Sequence, residues 1–174
     1  QNELEMLLNP VWHVHEGTIP KEDMIMTFSM LLNLVETSNA DTKELLWKFV
    51  KKHKSNISEK NYPIFNKLVG YAIEYFKDVI KKNKKYKIPN EIEKKALIAL
   101  INALEKCNDN MQPEDIQTQI YTVGKENGYK ENLRDWFKLI YEVVFGDTNG
   151  PRMGFFISFF GVNEMKKLIN DRIN

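Results

Sequence analysis

The sequence is poor in the features that define several protein classes. It contains one cysteine, Cys107, in 174 residues, which excludes an internal disulfide and favours a reducing compartment. The longest apolar run, MGFFISFFGV at 153–162, is interrupted by Ser158 and is far shorter than the ~20 residues of a membrane span. The first residues have neither a basic segment nor a small-residue cleavage site, and no initiator Met, so we expect a piece of a longer protein.

The apolar content is that of a folded protein. Hydrophobic residues make up 43% of the chain, with 10 Phe, 7 Tyr and 3 Trp among them, which is more than a disordered chain carries. The length suits one domain or two small subdomains, and it is enough to bury a sizeable core.

Charge is nearly balanced overall but unevenly distributed. The formal net charge is +1, yet the segment from Lys48 to Lys87 contains 12 lysines and three acidic residues. From Pro89 onward 11 basic residues stand against 13 acidic ones. A basic stretch of this kind can contact phosphates, and the alternative is a solvated lysine-rich face with no partner.

Apolar residues recur at helical spacing, and no strand-like alternation runs for more than a few residues. The pattern predicts an all-α bundle of seven to eight short helices. Their apolar stripes lie at 24–35, 45–50, 65–79, 97–104, 116–123, 133–144, 151–160 and 162–173. The segment KKNKKYKIPN, at about 82–90, is the predicted joint between two subdomains because a residue before proline disfavours continued helix.

Signatures of catalysis are absent from these residues. The sequence contains no phosphate-binding loop, dinucleotide fingerprint, nucleophile elbow, HExxH or CxxC motif. Cys107 has no histidine near it in sequence, and the pair His13 and His15 lacks further ligands that would complete a metal site. Acidic residues are scattered singly. The residues alone therefore predict a binding or interaction module.

The segment 132–162 holds the most distinctive combination. Arg134 and Lys138 stand at i and i+4 of a predicted helix, and the next helix begins with Pro151 and Arg152. Its positive N-terminal end beside Arg152 predicts an anion or phosphate cradle, with Gly150 and Gly154 permitting close approach. In the alternative interpretation, both glycines serve tight helix packing; the aromatic residues at 136 and 137 are interpreted as core.

This segment carries a resemblance to a known family. LRDWFKLIYEVVFG and GPRMGFFISFFGV, at 133–146 and 150–162, resemble the C-terminal helical anticodon-binding region of class I lysyl-tRNA synthetases. Three further blocks are similar to the same family in the same order: NPVWHVHEG at 9–17, MTFSMLLNLVETSNADTKELLWKFV at 26–50 and NYPIFNKLVGYAIEYFKD at 61–78.

The resemblance implies a cytoplasmic enzyme of protein biosynthesis that activates lysine with ATP and attaches it to the tRNA for lysine. Its catalytic domain, with the ATP and Mg²⁺ sites, would lie outside these residues, because neither a HIGH-like nor a KMSKS-like motif occurs here. No cofactor is expected in this part, and no membrane partner.

By the organisation of that family, residues 1–88 would join the catalytic core to the tail, and 89–174 would form the anticodon-binding subdomain. Arg134, Lys138 and Arg152 are the candidates for the anticodon-facing surface. Lys81, Lys82, Lys84 and Lys85 would hold the phosphate backbone without sequence preference. Two alternatives stay open: the tail of a glutamate-type class I synthetase, and a non-catalytic helical module that binds protein.

Overall fold

Eight α-helices account for most of the residues in the computed structural model, which describes residues 22–174. They are α1 (Phe28–Ser38), α2 (Lys43–His53), α3 (Pro63–Tyr75), α4 (Glu91–Leu104), α5 (Pro113–Gly124), α6 (Leu133–Val144), α7 (Met153–Phe160) and α8 (Val162–Ile173). A π-helical turn, Phe76–Ile80, follows α3, and Lys125–Tyr129 follows α5. Residues 22–174 contain no β-strand, so the predicted all-α class is confirmed.

The chain divides into two compact units between Lys82 and Asn83, a point inside the segment 82–90. The functional division at 88 and 89, implied by the resemblance, stays a prediction. Within the described part of the chain, no helix combines the length and the apolar character that a membrane span requires.

Side-chain caps begin the helices of the first unit. The Thr27 hydroxyl accepts a hydrogen bond from the Met30 N–H at 3.1 Å, and Thr42 caps α2 in the same way. Because Thr27 is extended and caps α1, the first helix begins at Phe28 and not near Met24, whose side chain is 62% exposed. The start predicted from the apolar spacing is therefore wrong by about one turn.

The core of the first unit forms around Trp47. Its ring meets the Phe65 ring edge-on at 5.4 Å, and its indole N–H donates to the Asn66 side chain at 3.0 Å. Leu34 and Val50 are fully buried in the same unit. These contacts tie α2 to the first turns of α3.

The second unit packs around Trp136 of α6. This side chain is fully buried, and its indole N–H donates to the Ile120 carbonyl of α5 at 3.0 Å. Asn90 and Glu93 form a reciprocal capping box at the start of α4. The sequence placed Pro151 as the first residue of the seventh helix, whereas α7 begins at Met153.

Candidate nucleic-acid interface

Helix α6 has a sharply divided surface. Its inner half is buried and consists of Trp136, Leu139, Ile140, Val143 and Val144. Its outer half carries the side chains that could reach a ligand, namely Arg134, Phe137, Lys138, Tyr141 and Glu142. Because residues three and four apart share a helix face, this half presents an aromatic row and a charged row side by side.

The aromatic row continues onto α5. Phe137 lies between Tyr121 and Tyr141, at ring-centroid distances of 5.1 Å and 6.3 Å. All three side chains are only partly buried. We call these three residues the aromatic strip. The interpretation of the aromatic pair at 136 and 137 as core therefore holds for Trp136 and is wrong for Phe137.

Arg152 lies at the end of this strip, and contacts within the protein position both its side chain and the turn before it. Its guanidinium makes a two-pronged contact with the Glu114 carboxylate, at 2.7 Å and 3.3 Å, and it stays 51% exposed. The hydrogen bond from Arg152 lowers the pKa of Glu114. The Tyr141 hydroxyl donates to the Pro151 carbonyl at 3.0 Å, which fixes the turn that precedes Arg152. Burial raises the pKa of Tyr141, so this hydroxyl keeps its proton at neutral pH.

The predicted anion cradle at the start of α7 is closed by protein. The Gly154 N–H donates to the buried side-chain oxygen of Gln117 at 2.6 Å. A Cβ at position 154 would collide with the Pro113 carbonyl, so glycine is needed there for the close approach of α5 and α7. Gly150 likewise packs against the ring of Tyr141. Both glycines serve packing, and the Gly154 N–H is not available to an anion, whereas the Arg152 side chain is exposed.

The basic segment splits between the two units. Lys81 and Lys82 end the first unit, and both are exposed. Lys84 and Lys85 begin the second, where Lys84 is half-buried and Lys85 exposed.

The residues that follow are bound to the second unit. The Lys87 N–H donates to the Glu142 carbonyl at 3.0 Å, and the Arg172 guanidinium lies 3.8 Å from the centre of the Tyr86 ring. The main chain at 85 also closely approaches Gly146. The main chain that carries Lys85 and Lys87 is therefore held by contacts within the second unit and is not a solvated linker.

A polar depression of about 260 Å³ lies beside the charged row of α6. We call it the polar pocket, and its lining residues are Lys87, Glu93, Tyr129, Asp135, Lys138, Leu139 and Glu142. A neighbouring depression shares Lys87 and Glu142 and includes Lys85. The structure thus brings Lys85 and Lys138 to adjoining parts of one surface.

The Lys87–Glu93 ion pair organises this pocket. Its nitrogen and oxygen are 2.8 Å apart. Burial opposes ionisation of Glu93, but the Asn90 N–H and the Lys87 ammonium outweigh it and lower the pKa of Glu93. The hydrogen bond to Glu93 raises the pKa of Lys87. Burial first, and then the carboxylates of Glu93 and Asp135, raises the pKa of Tyr129.

The surface also contains four residues that were not predicted as site residues, namely Tyr121, Tyr129, Tyr141 and Glu142. Helical spacing places Phe137 with Tyr141, and Lys138 with Glu142, so these two pairs were recognisable from sequence. No sequence signal connects Tyr121 or Tyr129 to them, because Tyr121 lies in α5, Tyr129 lies in the π-helical turn after it, and both meet α6 only through packing.

Other reactive side chains do not form a site in the described residues. Burial raises the pKa of the Cys107 thiol, which opposes formation of the nucleophilic thiolate. Burial first, and then Lys54, lowers the pKa of His53. Within 22–174, no group of three or more His, Cys, Asp or Glu side chains is arranged to hold a metal ion. The pair His13 and His15, and the block at 9–17, lie outside these residues.

Comparison with known proteins identifies relatives along nearly the whole chain. A lysine–tRNA ligase of Rickettsia peacockii (strain Rustic) is 41% identical over 166 residues, which is 95% of this chain and 32% of the relative. The lysine–tRNA ligase of Rickettsia africae (strain ESF-5) is 40% identical over the same length. That of Rickettsia rickettsii (strain Sheila Smith) is 38% identical over 174 residues, which is 99% of this chain and 33% of the relative.

No protein-family model matches the sequence, and no solved structure matches it. The chain spans about a third of the length of the curated relatives it matches. It is therefore homologous to lysine–tRNA ligases and corresponds to about one third of such an enzyme.

Proposed function

We propose that this chain is the part of a class I lysine–tRNA ligase that binds the anticodon region of the tRNA for lysine. The observation that supports this proposal is the aromatic strip, which lies on the outer surface of α5 and α6 with Arg152 at its end. Arg134 is exposed on α6, one turn before Phe137. The relatives named lysine–tRNA ligase support the assignment to lysine rather than glutamate.

An aromatic surface beside arginines suits single-stranded RNA. Unpaired bases of an anticodon loop stack on aromatic rings or on guanidinium planes, and each stacked base contributes about 1–3 kcal/mol. The phosphates between those bases would meet the exposed cations at Arg134 and Arg152. Arg152 can exchange its Glu114 partner for a phosphate, because both members of that pair are in contact with solvent.

The lysines at 81, 82, 84 and 85 would contact the phosphate backbone. Such contacts add affinity that falls with salt and carry no sequence information. Base readout is then assigned to the second unit, in which 14 basic residues stand against 13 acidic ones. This assignment agrees with the distribution of charge, because the excess of basic over acidic residues lies before Pro89.

The chemistry of aminoacylation would occur elsewhere in the parent enzyme. ATP and Mg²⁺ are assigned to a catalytic domain outside these residues. We place the enzyme in the cytoplasm, as a ligase of protein biosynthesis.

Fluorescence anisotropy of the 174-residue chain tests this function. We expect tighter binding to a lysine tRNA transcript than to a version with an exchanged anticodon, and also than to a glutamate tRNA, at every salt concentration. Equal affinities that collapse together with salt would reduce the chain to a phosphate-binding module and refute anticodon readout.

A matched pair of variants tests the aromatic strip. F137L keeps apolar bulk but removes the ring, and we expect several-fold weaker binding to the lysine tRNA. F155L alters another half-buried phenylalanine outside the strip and should bind like the wild type. Equal affinities of F137L and the wild type would exclude base stacking at this position.

A further inference from the structure

The chain contains two Asn-Gly pairs, and both lie in the second unit. They are Asn127–Gly128, in the π-helical turn after α5, and Asn149–Gly150, in the loop between α6 and α7. Glycine has no Cβ, so its main-chain nitrogen is unusually open to the side-chain carbonyl of the asparagine before it. Such a pair deamidates where the local structure lets these two groups meet.

The structure holds the first pair away from the reactive geometry. The Asn127 side-chain amide donates to the Val123 carbonyl at 2.8 Å, and the ψ angle of Asn127 is 31°. Ring closure requires the next nitrogen to lie on the same side of the Cα–C bond as Cβ, and this ψ angle places the Gly128 nitrogen on the opposite side. Asn127 must therefore lose a hydrogen bond and rotate its main chain before it can react.

The second pair is free of these restraints. Asn149 and Gly150 are exposed and lie outside the helices. Within residues 22–174, neither the Asn149 side chain nor the Gly150 N–H forms a hydrogen bond. The main chain of this pair can therefore rotate into the reactive geometry without breaking a hydrogen bond of the described chain.

We propose that Asn149 is a site of spontaneous deamidation in the folded protein. The Gly150 main-chain nitrogen gives its proton to water and forms a bond to the side-chain carbonyl carbon of Asn149. The bond from that carbon to the amide nitrogen breaks, the amide nitrogen takes up a proton, and ammonia leaves. Water then opens the resulting five-membered succinimide at one of its two carbonyl carbons, which yields aspartate or isoaspartate. The net reaction consumes one water and releases one ammonia, with no oxidant or reductant.

The product changes the surface beside the aromatic strip. Gly150 packs against the Tyr141 ring, and Arg152 follows two residues later. Both products place a new carboxylate in this loop, and isoaspartate also adds one methylene to the main chain that leads to Gly150. Under the proposed function, the added negative charge would repel RNA phosphates. This consequence rests on that function, whereas the reaction itself does not.

Peptide mapping by mass spectrometry tests the reaction at both pairs in one sample. Trypsin releases them in the peptides 126–130 and 139–152, and each peptide contains one asparagine and no glutamine. After incubation of the 174-residue chain at neutral pH, we expect Asn149 to have reacted about tenfold faster than Asn127, because Asn127 must first break a hydrogen bond. A sample digested before incubation gives the background. Conversion at Asn149 that is no faster than at Asn127 would overturn the proposal.

The same measurement in concentrated urea removes the effect of the fold. The two pairs have different neighbours, so each folded-state rate is compared with the rate of the same pair in the unfolded chain. We expect similar rates for Asn149 in both states and about tenfold slowing of Asn127 in the folded state. Equal slowing of both pairs by folding would show that the loop is also held, and would refute the proposal.

N149Q tests the ring that the mechanism requires. Glutamine keeps the amide but has to close a six-membered ring, so we expect no conversion in the peptide 139–152 over the same period. Conversion of N149Q at the wild-type rate would exclude the five-membered succinimide. The exposure of Asn149 makes this substitution compatible with folding, which circular dichroism checks.

A charge variant tests the consequence for RNA binding. N149D introduces the aspartate directly, and we expect about twofold weaker binding to the lysine tRNA, with the larger effect at low salt. N102D adds the same charge at an exposed position of α4 and should bind like the wild type. Equal affinities of N149D and N102D would refute this consequence. If the wild type does not distinguish the lysine anticodon, the proposed function fails, and the peptide maps still decide the deamidation.

Discussion

Arg152 and Glu114 face each other across the start of α7 and the start of α5, joined by two hydrogen bonds at 2.7 Å and 3.3 Å. If the proposed function holds, the carboxylate occupies the position that an RNA phosphate would take on the guanidinium. Because both side chains are largely exposed, at 51% and 72%, the pair stabilises the fold little and can open. Under the proposed function, Glu114 would therefore compete with an RNA phosphate for Arg152.

This competition predicts effects of opposite sign. R152A should weaken binding to the lysine tRNA several-fold, because it removes a bidentate phosphate donor. E114Q should strengthen binding by about twofold, because Arg152 then binds a phosphate without first breaking an ion pair with a carboxylate. Anisotropy titrations at two salt concentrations measure both affinities, and far-UV circular dichroism should show unchanged helical content. Unchanged affinity in R152A would remove Arg152 from the interface.

Gln117 determines how tightly α5 and α7 pack. Its buried side-chain oxygen accepts the Gly154 N–H, so Q117L would leave this N–H buried without a partner. We expect the free energy of unfolding to fall by about 1–3 kcal/mol. Urea denaturation measures the change. T118A, at the exposed neighbouring position, should stay within about 0.5 kcal/mol of the wild type, and equal stabilities of Q117L and T118A would contradict this role.

Glu22 caps α3 from a distant part of the sequence. Its two carboxylate oxygens accept the N–H groups of Ile64 and Phe65 at 2.9 Å and 2.8 Å. E22A should destabilise the start of α3 by about 1–2 kcal/mol, because two N–H groups at the positive end of the helix lose a charged partner. Hydrogen–deuterium exchange should then be faster at 64–68 and unchanged in α6. D23A, one residue away and exposed, is the matched control.

The Lys87–Glu93 pair predicts a pH dependence. Since the folded-state pKa of Glu93 is lowered, its contribution to stability is present above the usual glutamate value of 4.5 and is lost as pH falls through the lowered pKa. The raised pKa of Lys87 sets the alkaline limit, where the contribution is lost as pH rises through it.

Melting temperatures between pH 3 and 7 check the acid side of this prediction. E93Q should melt below the wild type at pH 7, and the difference should shrink toward pH 3. E105Q provides the comparison at an exposed carboxylate without an ion pair in the described chain. A constant difference between E93Q and the wild type across the range would show that ionisation of Glu93 does not stabilise the unit.

The sequence by itself determined the helical class and most helix positions. Apolar spacing locates α6 at 133–144, and the apolar stripe at 97–104 locates the second half of α4. Such signals are local, because a helix face and a cap depend on residues three or four apart. The predicted start of α1 is too early. Apolar residues at helical spacing extend back to Met24 and Ile25, but Thr27 caps the helix, which therefore begins at Phe28.

Only the tertiary structure decided what the distinctive residues do. Arg152 was recognisable in the sequence, but its partner Glu114 and the closure of the α7 N-terminus by Gln117 depend on how α5 packs against α7. The aromatic strip and the polar pocket likewise join α6 to Tyr121 of α5 and to Tyr129 in the turn after α5. Contacts between residues far apart in sequence leave no periodicity, and for that physical reason the local pattern could not reveal them.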